Sequence, residues 1–249
     1  MSGAVASDVD WVGRVGSLGR AVVVVLVVFL TAAVVARLGL DAALAAGLVV
    51  PESLAALVVV NVLQFLGFGL GVAGYLAVSD DWGLLAVRPP SLSDLGWILG
   101  GVAAILLAAA LVGEVLSVFE VEVAQNQVIA TGQRNPEYFL YMIPVSLLLV
   151  GPFEELVFRG GVQGLLRRTW GGWPAVVIAS GLFGLVHWIA LVGGGGGGRI
   201  AYVAVAATLG LILGGLYERT RNLVVPALVH GIYNSVLFGV QYAAAVGLA

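Results

Sequence analysis

LLLVGPFEELVFRGG, residues Leu147–Gly161, sets Glu154, Glu155 and Arg159 into an otherwise apolar run. Either a soluble core or a bilayer could take up such a run, and the rest of the chain decides between them. Of its 249 residues, 61% are hydrophobic and 10% charged, against roughly 45–50% and about 25% in a soluble domain. Too little polar surface is left to cover a water-soluble globule. The stretch therefore reads as part of a transmembrane helix, and the fold class as all-α, a polytopic transmembrane helical bundle. Charges inside such a helix are costly and mark a functional site.

A spanning helix needs about 20 mostly apolar residues. Seven segments qualify: 21–40, 53–78, 95–117, 138–160, 173–192, 200–217 and 223–247. Residues 1–20 read as an acidic N-terminal cytoplasmic tail, and 21–249 as a single helical membrane domain. The first apolar run has no small-residue cleavage site behind it and reads as a retained anchor. The piece LGLDAALAAGLVV, 38–50, is short and carries Asp41. It is interfacial, re-entrant or a partial eighth span, so the count stands at seven to eight. Pro51, Pro89, Pro90, Pro136 and Pro174 mark helix starts or loops.

All basic residues are arginine, and their placement gives an orientation. With the N-terminus in the cytoplasm, the inner side holds Arg14, Arg20, Arg88, Arg167, Arg168, Arg219 and Arg221. The outer loops hold Arg37, Arg134 and Arg199. The chain is thus expected in the cell membrane, with the lipid bilayer as its first partner. A net charge of −3 without a basic patch points to no nucleic acid. Cysteine is absent, which removes disulfides, thiolate metal sites and cysteine nucleophiles. The outer 118–137 loop is polar and acidic, and the run Gly193–Gly198 reads as a flexible connection unable to hold a helix. Gly69, Gly71 and Gly74 spell G-x-G-x-x-G, but no strand precedes them. Gly67 and Gly71 also spell G-x-x-x-G, a close-packing face between helices in lipid, and this is the preferred reading.

Glu155 and Arg159 stand four apart, share a helix face and can pair. Glu154 lies about 100° round the helix and is free to point elsewhere. An arginine beside buried carboxylates favours their ionised form. Both histidines of the chain, His187 and His230, fall inside spans. Phe183 lies one turn before His187, and Asn234 one turn after His230. Counting about 1.5 Å per residue from the inner surface puts Glu154 and His187 roughly 20 Å deep, and His230 and Asn234 roughly 10 and 16 Å. Packing can gather them into one polar pocket with a base, two imidazoles and an amide, a set suited to hydrolysis. Glu114 near the outer end of the third span is equally well explained as a surface residue.

EELVFR (Glu154–Arg159), FGLVH (Phe183–His187) and HGIYN (His230–Asn234) resemble, in order, the E-E-x-x-x-R, F-x-x-x-H and H-x-x-x-N/D motifs of the CAAX-processing and bacteriocin-processing (CPBP, or Abi) intramembrane endopeptidases. The resemblance covers about residues 138–240. It implies an all-helical membrane protease acting on a membrane-associated or prenylated peptide or protein. Glu154 would then be the general base on water, and His187 would help hold that water. His230 and Asn234 would stabilise the oxyanion, while Glu155, Arg159 and Phe183 support the site.

The family is described both as metalloproteases and as glutamate-type enzymes. Glu154, His187 and His230 with a water would make a zinc set, yet neither histidine lies in H-E-x-x-H. The glutamate-centred mechanism is preferred, with a divalent metal such as zinc left open. Rhomboid-type, presenilin-type and site-2-type signatures are missing. Two other classes compete. One is a non-catalytic scaffold or immunity protein on the same fold, which the intact polar set argues against. The other is a transporter, which predicts inverted repeats that the chain does not display.

Overall fold

The computed structural model describes residues 10–248. Eight helices carry the fold: α1 (Trp11–Ala45), α2 (Leu54–Ser79), α3 (Leu92–Val118), α4 (Gln127–Arg134), α5 (Glu137–Trp170), α6 (Gly172–Ala190), α7 (Gly196–Thr220) and α8 (Val224–Ala245). Every one except α4 is long and apolar enough to cross a membrane, making seven candidate spans. The all-α, multi-pass reading holds.

The helix starts follow from local chemistry. Asp10 caps α1 by accepting from the Gly13 N–H at 2.8 Å. Ser53 caps α2, and Ser91 with Asp94 forms a reciprocal capping box on α3. α2 and α7 end at Asp80 and Arg221, both in the left-handed conformation that closes helices. The first helix begins at Trp11, ten residues before the expected span.

The 38–50 segment needs correction. Its first eight residues continue α1 to Ala45, and no eighth span exists among the described residues. No glycine–proline breaker interrupts the run. Asp41 accepts a hydrogen bond from Arg37 one turn earlier at 2.8 Å, so its charge is matched along the exposed helix face.

α1 and α2 form a close hairpin. A Cβ on Gly67 would stand 2.6 Å from the Ala32 Cα, and one on Gly71 2.8 Å from the Val28 Cα. The packing reading of this glycine pair is thus the right one. One core cluster centres on α1, α2, α5 and α6 and takes in Ala206 of α7 and Phe238 of α8, and a second joins α3, α7 and α8.

The 118–137 connection is more structured than a loop. It holds a two-residue strand, β1 (Gln125–Asn126), then α4. β1 pairs antiparallel with β2 (Leu191–Val192), which follows α6. The glycine run also departs from expectation, because Gly196–Gly198 form the first turn of α7. The Ala124 N–H donates to the Gly198 carbonyl at 3.1 Å. A Cβ on Gly194 would lie 2.8 Å from the Ala124 Cβ. These glycines let two connections lie backbone against backbone, a contact that side chains would block.

Candidate functional site

α5 carries the glutamates. It contains two π-helical stretches, Ser146–Val150 and Leu156–Gln163, on either side of GPFEE. Pro152 has no N–H to close an α-turn, and wide turns of this kind recur at functional sites. α5 crosses α8 at backbone contact. A Cβ on Gly231 would stand 2.9 Å from the Ser146 carbonyl oxygen and 3.0 Å from the Leu147 Cα. Gly151 meets the Ala227 carbonyl in return. This crossing brings the α5 carboxylates to His230 on α8.

The two glutamates divide as their 100° separation requires. Glu155 is wholly buried, and its Oε2 accepts from the Arg159 Nε at 2.8 Å. Its other oxygen, Oε1, lies 3.0 Å from His230 Nδ1. Glu154 keeps 15% of its side chain exposed and lies 3.9 Å from His230 Nε2. His230 therefore stands between both carboxylates, tied to the buried one. The Glu155–Arg159 pair was legible in the sequence. The Glu155–His230 bond, between residues 75 apart, was not.

His187 sits where α6 tightens into a 3-10 turn. Its Nδ1 is 2.7 Å from the Phe183 carbonyl oxygen. A carbonyl only accepts, so Nδ1 carries the proton and Nε2 presents its lone pair. Phe183 organises the surroundings with its ring. Its centroid is 4.6 Å from that of His187 and 5.9 Å from that of His230. The Arg159 guanidinium carbon lies 5.3 Å over the same ring.

Glu154, His187, His230 and Asn234 line one cavity of about 630 Å3, bounded by α1, α2, α4, α5, α6, α7 and α8. Beneath it, Glu155, Arg159, Gln163 and Phe158 are buried and close the floor. Glu114 does not line this cavity and lies exposed on α3.

Sequence reasoning passed over Asn61 and Gln64, which line the cavity from α2. They are amides inside an apolar span, and that alone is a site signal. Asn61 donates to the Tyr138 hydroxyl at 2.7 Å. Gln163 was also missed. It continues the Glu155–Arg159 stripe by one turn and donates to the Gly214 carbonyl of α7 at 3.1 Å.

Among the described residues, no group of three or more His, Cys, Asp or Glu side chains is arranged to hold a metal ion. The Nδ1 contacts leave both Nε2 atoms available, as a ligand set needs. Glu154, His187 and His230, the set left open for zinc, line the same cavity without being grouped as a metal site.

With this geometry in view, residues 136–236 match the family model described as type II CAAX prenyl endopeptidase Rce1-like. This region is similar to that family. The match spans α5 to most of α8, hence all three motifs, and less than half of the chain. It agrees with the resemblance to the CPBP endopeptidases. Neither a curated protein nor a solved structure matches the chain.

Proposed function

We propose that the chain is an intramembrane endopeptidase that cleaves a membrane-associated peptide or protein with glutamate-activated water. The Rce1-like match suggests CAAX-type intramembrane protease activity. The observation that carries the mechanism is the shared cavity of Glu154, His187, His230 and Asn234, with the Glu155–Arg159 pair held in its floor.

Glu154 removes a proton from water, and His187 Nε2 accepts the water's second O–H and orients it. The hydroxide oxygen bonds to the scissile carbonyl carbon, and the C=O π pair moves onto oxygen. Asn234 donates its amide N–H to that oxyanion. His230 donates Nε2–H when it carries both protons, with Glu155 on Nδ1 as counter-charge. The C–N bond then breaks, and the proton held by Glu154 passes to the leaving amine. Donors of this kind in a dry site contribute about 3–4 kcal/mol each, and a placed base about 10²–10⁴-fold. The arginine-rich end, where α1 starts and α7 ends, lies at the cytoplasmic face in this reading.

The test is cleavage of a peptide library in liposomes by wild type and Glu154→Ala, with and without a strong chelator. Cleavage by wild type that is lost in Glu154→Ala and persists under the chelator is the expected result. Cleavage that survives in Glu154→Ala rejects this base. Cleavage abolished by the chelator and restored by zinc rejects the metal-free scheme.

A further inference from the structure

The end of the bundle beneath the cavity floor is sealed by Leu165, Leu166 and Tyr217, each at most 1% exposed. The large cavity reaches the other way, where exposed Gln127 lines it. At the sealed end lies a second cavity of about 180 Å3, which shares no lining residue with the first. Gly83 and Leu84 of the connection after α2, Gly164, Arg167 and Arg168 of α5, and Arg221 after α7 line it. Three arginines thus converge on one small space, and no carboxylate lines it.

The neighbouring acids hold two of these arginines and leave donors over. Glu218 takes the Arg167 Nε with both of its oxygens, at 3.0 and 3.1 Å. Asp81 takes Nη1 and Nη2 of Arg168 at 3.0 and 2.8 Å. Nη1 and Nη2 of Arg167 and Nε of Arg168 have no hydrogen-bond partner among the described residues. Arg221 is less engaged still. Its Nη1 stays 3.6 Å from Glu218, and its guanidinium carbon lies 5.0 Å over the Tyr217 ring. The three side chains are 42%, 47% and 43% exposed, so their spare donors can meet a ligand from outside.

Arginine near a helix C-terminus also answers the helix dipole, and Arg167 and Arg168 close α5. That role asks only for charge near the last carbonyls. It does not ask arginines from two separate segments to share a cavity, nor for open space in front of them. A Cβ on Gly83 would meet nothing within 4 Å.

The level of the cavity points to its occupant. Trp82, next to Gly83, is 51% exposed, and Trp173, at the start of α6, is 55% exposed under Arg219. Exposed tryptophan among arginines marks the headgroup level of a bilayer. Basic pockets between helices at that level suit anionic headgroups, and guanidinium groups give a phosphate paired N–H donors. The volume is below the ~300 Å3 at which drug-sized pockets begin, which fits one phosphate group better than a larger ligand.

We propose that Arg167, Arg168 and Arg221 form a binding site for one phosphate group, presented by an anionic phospholipid at the sealed face. The site lies outside the catalytic set and does not depend on the peptidase reading. Inorganic phosphate offers the same chemistry from water, so the test has an arm for each source.

Delipidated full-length protein in uncharged detergent receives phosphatidylglycerol, phosphatidylcholine or inorganic phosphate alone. Native mass spectrometry counts what stays bound, and thermal melts follow the shift. One retained phosphatidylglycerol per chain is expected, with a melting temperature that rises with its concentration. Phosphatidylcholine should give no rise, and inorganic phosphate should displace the lipid only at far higher concentration.

Arg221→Asn removes the least engaged guanidinium, and asparagine accepts the left-handed backbone found there, φ 48°. It should weaken the lipid about fivefold. Gly83→Asp puts a carboxylate into the open space and should weaken it at least as much. The two variants act on different segments, so a loss of fold in one leaves the other to decide. Arg37→Gln, at the opposite end of α1, should bind as wild type does. Equal weakening in Arg37→Gln, or no weakening in Arg221→Asn and Gly83→Asp, overturns the site. Saturation by inorganic phosphate without any response to phosphatidylglycerol overturns the lipid source.

Discussion

At the residue scale, the site rests on two neighbouring glutamates with opposite duties. Glu154 faces the cavity and pairs with no arginine among the described residues, its basic neighbour being His230 Nε2 at 3.9 Å. Glu154→Gln keeps shape and volume, so the melting temperature in detergent should stay unchanged while cleavage falls by about 10²–10⁴-fold. Glu155 is the opposite case. Glu155→Ala strands a wholly buried Arg159, whose terminal nitrogens already have no protein partner. Removing one member of a buried pair costs about 3–5 kcal/mol. The variant should melt much lower, and Glu155→Leu combined with Arg159→Leu should recover much of the loss. Melting curves of the three variants decide this. An unchanged melting point in Glu155→Ala would show that the pair carries no structural weight.

At the element scale, the α5–α8 crossing sets the distance between carboxylate and imidazole. Gly231→Ala would press its new methyl against the Ser146 carbonyl and the Leu147 Cα, both backbone atoms that cannot swing aside. Overpacking of this sort costs about 1–3 kcal/mol, and here it also pulls His230 Nδ1 away from Glu155. Gly239→Ala on the same helix meets nothing within 4 Å, and should be neutral or stabilising by about 0.5–1 kcal/mol. Stability and cleavage measured on both variants separate crowding from helix propensity. Equal behaviour would refute the crossing as the determinant.

The same elements show what a sequence can disclose. Seven spans and the i,i+4 ion pair were readable, because apolar length and helical period are local properties. The Glu155–His230 bond was not, since it depends on how α5 and α8 cross. The glycine run misled because flexibility was inferred from composition alone. Its real use is close backbone approach, which appears only once Ala124 is placed beside Gly194 and Gly198. Asn61 and Gln64 were readable as polar residues within a span and were overlooked.

At the scale of the whole molecule, the bundle has one sealed end and one open end, and the sealed end is fastened by ion pairs between distant segments. Arg168, in the last turn of α5, donates to both oxygens of Asp81, just after α2, at 3.0 and 2.8 Å. Arg167 binds Glu218 of α7 at 3.0 Å. The hydrogen-bonded Arg168 holds the Asp81 carboxyl below its usual range. A carboxyl with a lowered folded-state pKa binds protons more readily when unfolded, at about 3.9. Its contribution is therefore complete above that value and fades as the pH falls through the folded-state value. The stability gap between wild type and Asp81→Asn should be widest near neutral pH and close on acidification. Because the pair is partly exposed, added salt should narrow the gap as well. Thermal melts of both proteins in detergent, at neutral and acid pH and at two salt concentrations, test this. A gap that widens on acidification would mean that Asp81 is not held ionised by Arg168, and that the fastening of α2 to the end of α5 lies in apolar packing alone.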